Sequence, residues 1–432
     1  MIDTAEVMLW GTRVGILHHS SNISYISFEY DKDFLRSNIN LSPIKMPLSD
    51  KVYSFPELIG GTFHGAPGLV ADSLPDKFGN SIIERWLSEQ GRSLEEFGVI
   101  DRLCYTGTRG MGALEYIPAV GPASKTDEPI IIQKMVDFAS EILSSRNKIN
   151  ISREDSDYGQ LLQLGTSAGG ARAKALIAWN EKTQEIRSGQ IEAENGFEYW
   201  LMKFDGVSKN GDHNLKDGTE YTLIEYAYYL MAKDSGIDMN ECRLFEDNGF
   251  HHFMTKRFDR INNQKMHMQT LGAISHIDYN FPGLCSYEQA SGLMRNMNIS
   301  QKDIIQLYRR MIFNVMMVNQ DDHVKNISFL MNRQGVWKLA PAYDITFSYN
   351  LNNMWLKAHQ MMVNGKTEEI TYSDLIESAS KMNIKKNTAE RIIDEIKDIS
   401  DNLNIYFEKA GINEKTYNKI QKVISNVQKN LY

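Results

Sequence analysis

One short stretch of this chain, residues 319–326, concentrates polar groups directly behind an apolar run. Its sequence, Asn-Gln-Asp-Asp-His-Val-Lys-Asn, brings together carboxylates, an imidazole, an ammonium and amides. The preceding residues, 303–318, are rich in Ile, Leu, Met, Phe and Val at helical spacing, which predicts a largely buried helix. Because such polar groups are costly to bury without partners, the stretch predicts a functional site at the end of that helix.

The spacing inside this stretch fits phosphoryl transfer. Asp321 and Asn326 are separated as the aspartate and asparagine of a kinase catalytic loop are, where one orients the accepting hydroxyl and the other holds a metal ion. A second carboxylate, Asp344, follows in the segment Leu-Ala-Pro-Ala-Tyr-Asp. Asp322 could share these roles or face solvent, but the spacing to Asn326 favours Asp321. His323 could orient Asp321, or it could be a structural histidine.

Two upstream features could complete such a site. Residues 165–174, Gly-Thr-Ser-Ala-Gly-Gly-Ala-Arg-Ala-Lys, would let backbone N–H groups approach phosphate oxygens, although an ordinary tight turn is the alternative. Lys203 lies on a predicted strand among apolar residues and needs an anionic partner. Phosphates or Glu225, on a predicted helix, could supply that partner. The alternative is a strand-end lysine whose amine reaches water.

Composition narrows the class of protein. The chain has 432 residues, which is long enough for two or three subdomains. Of these residues 42% are hydrophobic and 24% charged, as is ordinary for a soluble globular protein. The net charge of −8 argues against broad non-specific nucleic-acid binding by this chain alone. The three cysteines are widely separated, which excludes a disulfide framework. Without a signal peptide or a long apolar stretch, we expect a cytoplasmic protein with no membrane partner.

Periodicity divides the chain into a β-rich beginning and a helical end. A Gly/Pro/Ser-containing linker at 121–129 marks a predicted boundary, and Asn387 with Glu390 predicts a capping box in the helical tail. The predicted strands are short runs within 7–30, then 175–179, 197–205, 252–259, 327–331 and 336–339. The predicted helices are 77–90, 133–144, 222–233 and 303–318.

Taken together, these motifs resemble the HipA-type serine/threonine kinases, the toxin component of HipBA-like type II toxin–antitoxin systems. The resemblance is carried by residues 73–79, 167–174, 203–204, 257–260, 321–329 and 341–345. It implies an α+β, two-lobed protein-kinase-like fold with an additional N-terminal β-rich subdomain and a mainly α-helical C-terminal lobe. The corresponding ranges are 1–120 for the N-terminal subdomain, 121–258 for the kinase N-lobe and 259–432 for the C-lobe.

The resemblance also implies roles for individual residues. Asp321 would be the catalytic base, while Asn326 and Asp344 would hold Mg²⁺. Lys203 would contact the phosphates of ATP. The other implied cofactor-binding residues are Gly169, Gly170, Ala171, Arg172, Ala173 and Lys174 in the loop, Lys256, Arg257 and Phe258 in a hinge beside adenine, and His323, Lys325 and Tyr343 near the catalytic loop.

Three further expectations follow from the resemblance. Asp259 would reach the ribose. Ser167, or the adjacent Thr166, would be autophosphorylated, and the added negative charge would repel the nucleotide phosphates and switch the kinase off. The partners would be a small helix-turn-helix antitoxin, through which DNA is contacted mainly indirectly, and a protein substrate, with an aminoacyl-tRNA synthetase as one candidate.

Two other functions remain open from the sequence. A small-molecule phosphotransferase of kinase fold would use the same aspartate and metal-binding asparagine. A non-catalytic, nucleotide-sensing corepressor of an antitoxin would keep the nucleotide site without the reaction.

Overall fold

The computed structural model describes residues 1–122, 129–144, 162, 172–190, 192–207, 220–261 and 263–431. These residues form an α+β fold of two lobes with an additional N-terminal subdomain. The strands are β1 Thr4–Leu9, β2 Thr12–His19, β3 Ile26–Tyr30, β4 Leu114–Ile117, β5 Lys174–Asn180, β6 Glu185–Ser188, β7 Glu198–Lys203, β8 Cys242–Asp247, β9 Phe250–Lys256, β10 Arg260–Ile261, β11 Gln264–Lys265, β12 His267–Thr270, β13 Ser328–Met331 and β14 Trp337–Leu339.

The helices are concentrated in the C-lobe. They are α1 Gly68–Ala71, α2 Lys77–Ser88, α3 Val99–Thr106, α4 Ile132–Ser144, α5 Tyr221–Asp234, α6 Leu271–Ser275, α7 Tyr287–Asn296, α8 Gln301–Met316, α9 Tyr372–Lys381, α10 Lys386–Asp401, α11 Leu403–Lys409 and α12 Glu414–Leu431. Short 3-10 turns lie between them, and one of these, Val324–Asn326, is part of the candidate site.

The N-terminal subdomain is built on an antiparallel sheet in the order β3-β2-β1-β4. Alternate residues of β1, namely Ala5, Val7 and Leu9, are buried, as expected for a strand with one face on the core. Helix α2 starts at an Asp76 cap, whose Oδ1 accepts a hydrogen bond from the Gly79 N–H at 2.7 Å. The segment that carries α1 and α2 contacts both lobes: α1 packs against the C-lobe, and α2 packs against the N-lobe.

The N-lobe contains a five-stranded antiparallel sheet in the order β6-β5-β7-β9-β8. Trp200, Met202 and Phe204 share one buried face, as the alternation of β7 predicts. Phe78 of α2 packs in the same core, so the N-terminal subdomain helps to build the N-lobe. On the neighbouring strands β5 and β7, Lys174 and Lys203 are directly paired.

The C-lobe is organised around α8, which is buried over most of its length. Beside it lies a three-stranded sheet in the order β12-β13-β14. The N-terminal subdomain docks on this sheet, where His267 Nε2 lies 3.1 Å from the Leu41 carbonyl and Trp337 donates to the Asn40 carbonyl at 3.1 Å. A single apolar core therefore runs from the N-terminal subdomain into the C-lobe.

Most of the predicted elements are confirmed, with ends that differ by a few residues. The capping box at Asn387 and Glu390 is wrong, because the cap position of α10 is Lys385, two residues before Asn387, and it makes no side-chain cap. The three domain ranges stay predictions, and residues 123–128 of the predicted linker lie outside the described residues. Within the described ranges, no helix has the length and apolar character needed to cross a membrane.

Candidate active site

The centre of the candidate site is the Lys203 ammonium at the end of β7. Its Nζ lies 2.5 Å from Glu225 Oε1 on α5 and 2.6 Å from Asp344 Oδ1 in the C-lobe. Glu225 is 1% exposed, so it is committed to this contact, whereas the Asp344 side chain keeps 37% of its surface exposed. The anionic partner that the sequence predicted for Lys203 is therefore present, and a second carboxylate joins it from the other lobe.

Charge attraction outweighs burial at Lys203 and Asp344, whereas at Glu225 burial is the larger effect and raises the pKa of the carboxyl. Burial lowers the pKa of Lys203, but Asp344 and Glu225 raise it further, so the net pKa lies above the ordinary value and the amine stays protonated. Burial raises the pKa of Asp344, but attraction to Lys203 and then Lys174 dominates, and the net pKa is lowered. The cluster therefore holds an ionised lysine and an ionised aspartate at the boundary between the lobes.

The predicted catalytic loop leaves α8 through a strained residue. Val318 has φ of +57°, a conformation that a β-branched residue rarely adopts. After this bend, the Asp321 side chain is 46% exposed, with His323 Nε2 3.8 Å from its Oδ1. Asn326 donates from Nδ2 to the Asp321 carbonyl at 2.9 Å, which fixes the two ends of the loop together. The loop thus presents one carboxylate outward on a tightly held backbone.

The neighbouring Asp322 is an anchor rather than a solvent-facing group. It is 3% exposed and accepts hydrogen bonds from the Tyr287 hydroxyl at 2.9 Å and the Gln360 N–H at 2.8 Å. His359 Nδ1 lies 3.1 Å from the same carboxylate. Sequence reasoning missed these partners, since they lie tens of residues away and carry no local pattern. The structure therefore excludes the solvent-facing alternative for Asp322.

Asp344 also has a strained backbone, with φ of +52°. The preceding Tyr343 donates its hydroxyl proton to the Lys325 carbonyl at 2.6 Å and also contacts the Ser328 hydroxyl. Its ring lies 5.6 Å from that of Phe258. Burial raises the pKa of Tyr343, so it stays a neutral donor. Tyr343 therefore ties the Asp344 segment to the catalytic loop.

Asn326 and Asp344 line one cavity of about 20 Å³. A carboxylate and an amide oxygen are hard ligands of the kind that Mg²⁺ prefers, and this ion commonly completes its shell with water and phosphate oxygens. Among the described residues, no three His, Cys, Asp or Glu side chains could hold a metal ion by themselves. Asn326 and Asp344 could therefore supply two oxygen ligands to such an ion.

The predicted phosphate loop is only partly described. Gly169, Gly170, Ala171, Ser167 and Thr166 lie outside the described residues. Arg172 lies with its guanidinium carbon 4.2 Å from the centre of the Tyr221 ring. Ala173 is buried, and Lys174 begins β5 with only 4% of its surface exposed. Lys174 is therefore the residue of the predicted loop that the structure brings next to Lys203, on the neighbouring strand of the sheet.

Other predicted residues lie near the cleft in supporting positions. Lys325 Nζ is 5.0 Å from the centre of the Tyr279 ring, which also lies 5.1 Å from the His323 ring. Lys256 ends β9, and its ammonium pairs with Glu198.

Arg257 and Asp259 form a buried ion pair. The Arg257 side chain donates to both Asp259 oxygens, at 2.9 and 2.8 Å, and its backbone N–H donates to the Tyr199 carbonyl. Asp259 is fully buried and also accepts from Arg260 and from the Gly112 N–H. The expectation that Asp259 reaches a ribose is therefore wrong, because its oxygens are occupied inside the protein. Arg257 could meet adenine only through its backbone.

These observations define a two-lobed, kinase-like protein with a charged cluster between its lobes. Comparison with known families shows which family of such proteins the chain belongs to. The HipA-like C-terminal domain matches residues 166–403 and the HipA N-terminal domain matches residues 5–117. The chain belongs to the HipA family.

Two individual proteins show how far this similarity extends. A chain from the complex of Shewanella oneidensis HipA, HipB and operator DNA superposes on this chain with a TM-score of 0.67. The superposition covers 99% of this chain and 96% of the other, and the two sequences are 16% identical. At this level of identity, the similarity shows a shared fold and nothing more. A Haemophilus influenzae protein, named provisionally as a kinase, is 30% identical over 159 residues. That match covers 33% of this chain and 46% of the relative, so the chain spans about half of its length.

Proposed function

We propose that this chain is an ATP- and Mg²⁺-dependent serine/threonine protein kinase that acts as a HipA-type toxin. The observation that carries the proposal is the three-membered cluster of Lys203, Glu225 and Asp344. A strand lysine held by a helix glutamate, opposite an aspartate that would bind metal, is the arrangement that phosphoryl transfer uses. The Asp321 to Asn326 loop supplies the remaining groups.

Each group has one task in this reaction. Asp321 accepts a hydrogen bond from the substrate hydroxyl, orients its oxygen and takes up its proton as the phosphoryl group is transferred. Its exposed side chain, on a loop fixed by Asn326, suits that task. Asn326 and Asp344 would hold the Mg²⁺ ion, which neutralises charge on the phosphate oxygens. Lys203 would hold the phosphates.

The Lys203 cluster must rearrange when a nucleotide binds. Lys203 contacts both carboxylates, but Glu225 is buried and Asp344 is partly exposed. A phosphate oxygen would therefore compete with Asp344, rather than with Glu225, for the ammonium. Release from Lys203 frees the Asp344 carboxylate to bind metal, so nucleotide and metal would bind together.

The proposed partners follow from family membership. A chain of similar fold is found in a complex of HipA with HipB and operator DNA. We therefore propose a small helix-turn-helix antitoxin for this chain, with DNA contacted mainly through it. The substrate would be a protein hydroxyl, with an aminoacyl-tRNA synthetase as the candidate that the family resemblance implies.

Mass spectrometry after incubation with ATP and Mg²⁺ tests the proposal. We expect one phosphate in the segment that contains Thr166 and Ser167, lost when the metal is chelated. Ser167→Ala should abolish it if Ser167 is the acceptor, and Thr166→Ala serves as the matched control. Absence of phosphate on the protein, together with turnover of small hydroxyl compounds, would instead identify a small-molecule phosphotransferase.

A further inference from the structure

The segment between α1 and α2 connects the N-terminal subdomain to both lobes. At one end, the half-buried Asp72 carboxylate accepts from the Thr270 N–H at 2.7 Å and from its hydroxyl at 2.9 Å, in the C-lobe. Thr270 is followed by Leu271, whose N–H donates to the Ile327 carbonyl just after the catalytic loop. At the other end, Asp76 faces the N-lobe.

Asp76 contributes a carboxylate to the candidate site. Its Oδ2 lies 3.6 Å from Lys174 Nζ, and the two side chains are 7% and 5% exposed. Asp76 Oδ2 is buried and accepts no hydrogen bond from the described residues. Its other oxygen caps α2. One oxygen therefore serves the helix, while the other acts on Lys174 through charge.

Lys174 needs this anion because of its position in the sheet. It is directly opposite Lys203 on adjacent antiparallel strands, and like charges in such positions repel. The positive charge of Lys203 is balanced by the Glu225 and Asp344 carboxylates, which lie at hydrogen-bond distance. Burial leaves the pKa of Lys174 below and that of Asp76 above its ordinary value, and the mutual attraction of the two charges is the largest effect that opposes burial at each of them. Without Asp76, the buried Lys174 would lose much of its tendency to stay charged.

We propose that Asp76 is a positioning residue of the nucleotide site, which keeps Lys174 charged and directed beside Lys203 toward the nucleotide phosphates. The proposal rests on the proposed kinase function. At 3.6 Å, the carboxylate lies just beyond hydrogen-bond distance, so a phosphate oxygen could still accept from the Lys174 ammonium. The N-terminal subdomain would then be part of the nucleotide site rather than an attachment to it.

Asp76→Asn tests this role, because asparagine is also a good helix cap and has the same shape. The affinities of the full-length protein for ATP and for adenosine are measured by calorimetry in the presence of Mg²⁺. We expect ATP to bind about tenfold more weakly, as for loss of a charge-assisted contact, while adenosine affinity is unchanged. A purely structural role would weaken both, and retained adenosine binding shows that the variant is folded.

Two further variants sharpen the result. Glu115→Gln removes another ion pair that leaves the N-terminal subdomain, to Lys265, and should not alter the ratio of the two affinities. Lys174→Gln should weaken ATP binding, and Asp76→Asn should add little in that background, because the two residues act as one unit. An unchanged or stronger affinity of Asp76→Asn for ATP overturns the role of Asp76. A wild-type protein that does not prefer ATP to adenosine overturns the proposed kinase function as well.

Discussion

Asp321 and Asp322 are neighbours in the chain and lie in opposite environments. The side chain of Asp321 is 46% exposed, while Asp322 is buried with hydrogen bonds from Tyr287 and Gln360. A buried carboxylate that accepts several hydrogen bonds fixes a loop, whereas an exposed one can meet a substrate. At the residue scale, the environment and not the residue type assigns the two roles.

His267 makes the stability of the protein depend on pH. It is fully buried, with its Nε2 against the Leu41 carbonyl, and burial lowers its pKa from 6.5 to about 4. Between these pH values the unfolded chain binds a proton that the folded chain does not. The free energy of unfolding should therefore decrease as the pH falls, by about 1.6 kcal/mol from pH 6.5 to pH 5 for this residue alone.

Chemical denaturation of the wild type and of His267→Gln, at several pH values between 7 and 5, checks this prediction. Glutamine can still donate to the Leu41 carbonyl but does not titrate in this range. The pH dependence should be weaker in the variant. Equal slopes for the two proteins would show that His267 does not carry the effect.

At the scale of elements, α1 packs against α6 with its first residue in close contact. Gly68 donates its N–H to His276 Nε2 at 3.1 Å. A Cβ atom at Gly68 would lie 2.0 Å from the Ala273 carbonyl oxygen and 2.5 Å from the His276 ring. Since α6 adjoins the turn that contains Asn326, this contact links the N-terminal subdomain to the catalytic loop.

Gly68→Ala should therefore destabilise the protein. Overpacking of this kind costs about 1–3 kcal/mol, since the carbonyl belongs to the backbone and cannot rotate away. Gly60→Ala is the matched control, because a Cβ there meets nothing within 4 Å. Urea unfolding should show a lower midpoint for Gly68→Ala and little change for Gly60→Ala. Equal midpoints in both variants would mean that α1 moves away from α6 at little cost.

At the scale of the whole molecule, the sequence predicted the parts of the site that are local or that follow a strand or helix pattern. The spacing of Asp321 and Asn326 lies within one loop, and Lys203 ends a strand that the sequence predicted. The missed contacts join distant segments: Asp322 with His359 and Gln360, Asp259 with Arg257 and Arg260, and Asp76 with Lys174.

These contacts could not be predicted because no periodicity relates their members. Asp259 shows the difficulty: an aspartate beside a predicted hinge is compatible with a ribose ligand, and only its full burial between two arginines shows that it is structural. Asp76 was visible in the sequence as part of a family motif. Its closeness to Lys174 depends on how α2 packs under the N-lobe sheet.

The most direct test of the account is the rate at which the Asp321→Asn variant phosphorylates itself, measured with radiolabelled ATP and Mg²⁺. Asp33→Asn, at an exposed position of the N-terminal subdomain, is the matched control. We expect Asp321→Asn to lower the rate by roughly 10²–10⁴-fold, with an unchanged melting temperature, because the substrate hydroxyl loses its base while the loop keeps its Asn326 and Asp322 anchors. A rate equal to that of wild type and Asp33→Asn would contradict the assignment of Asp321 as the base.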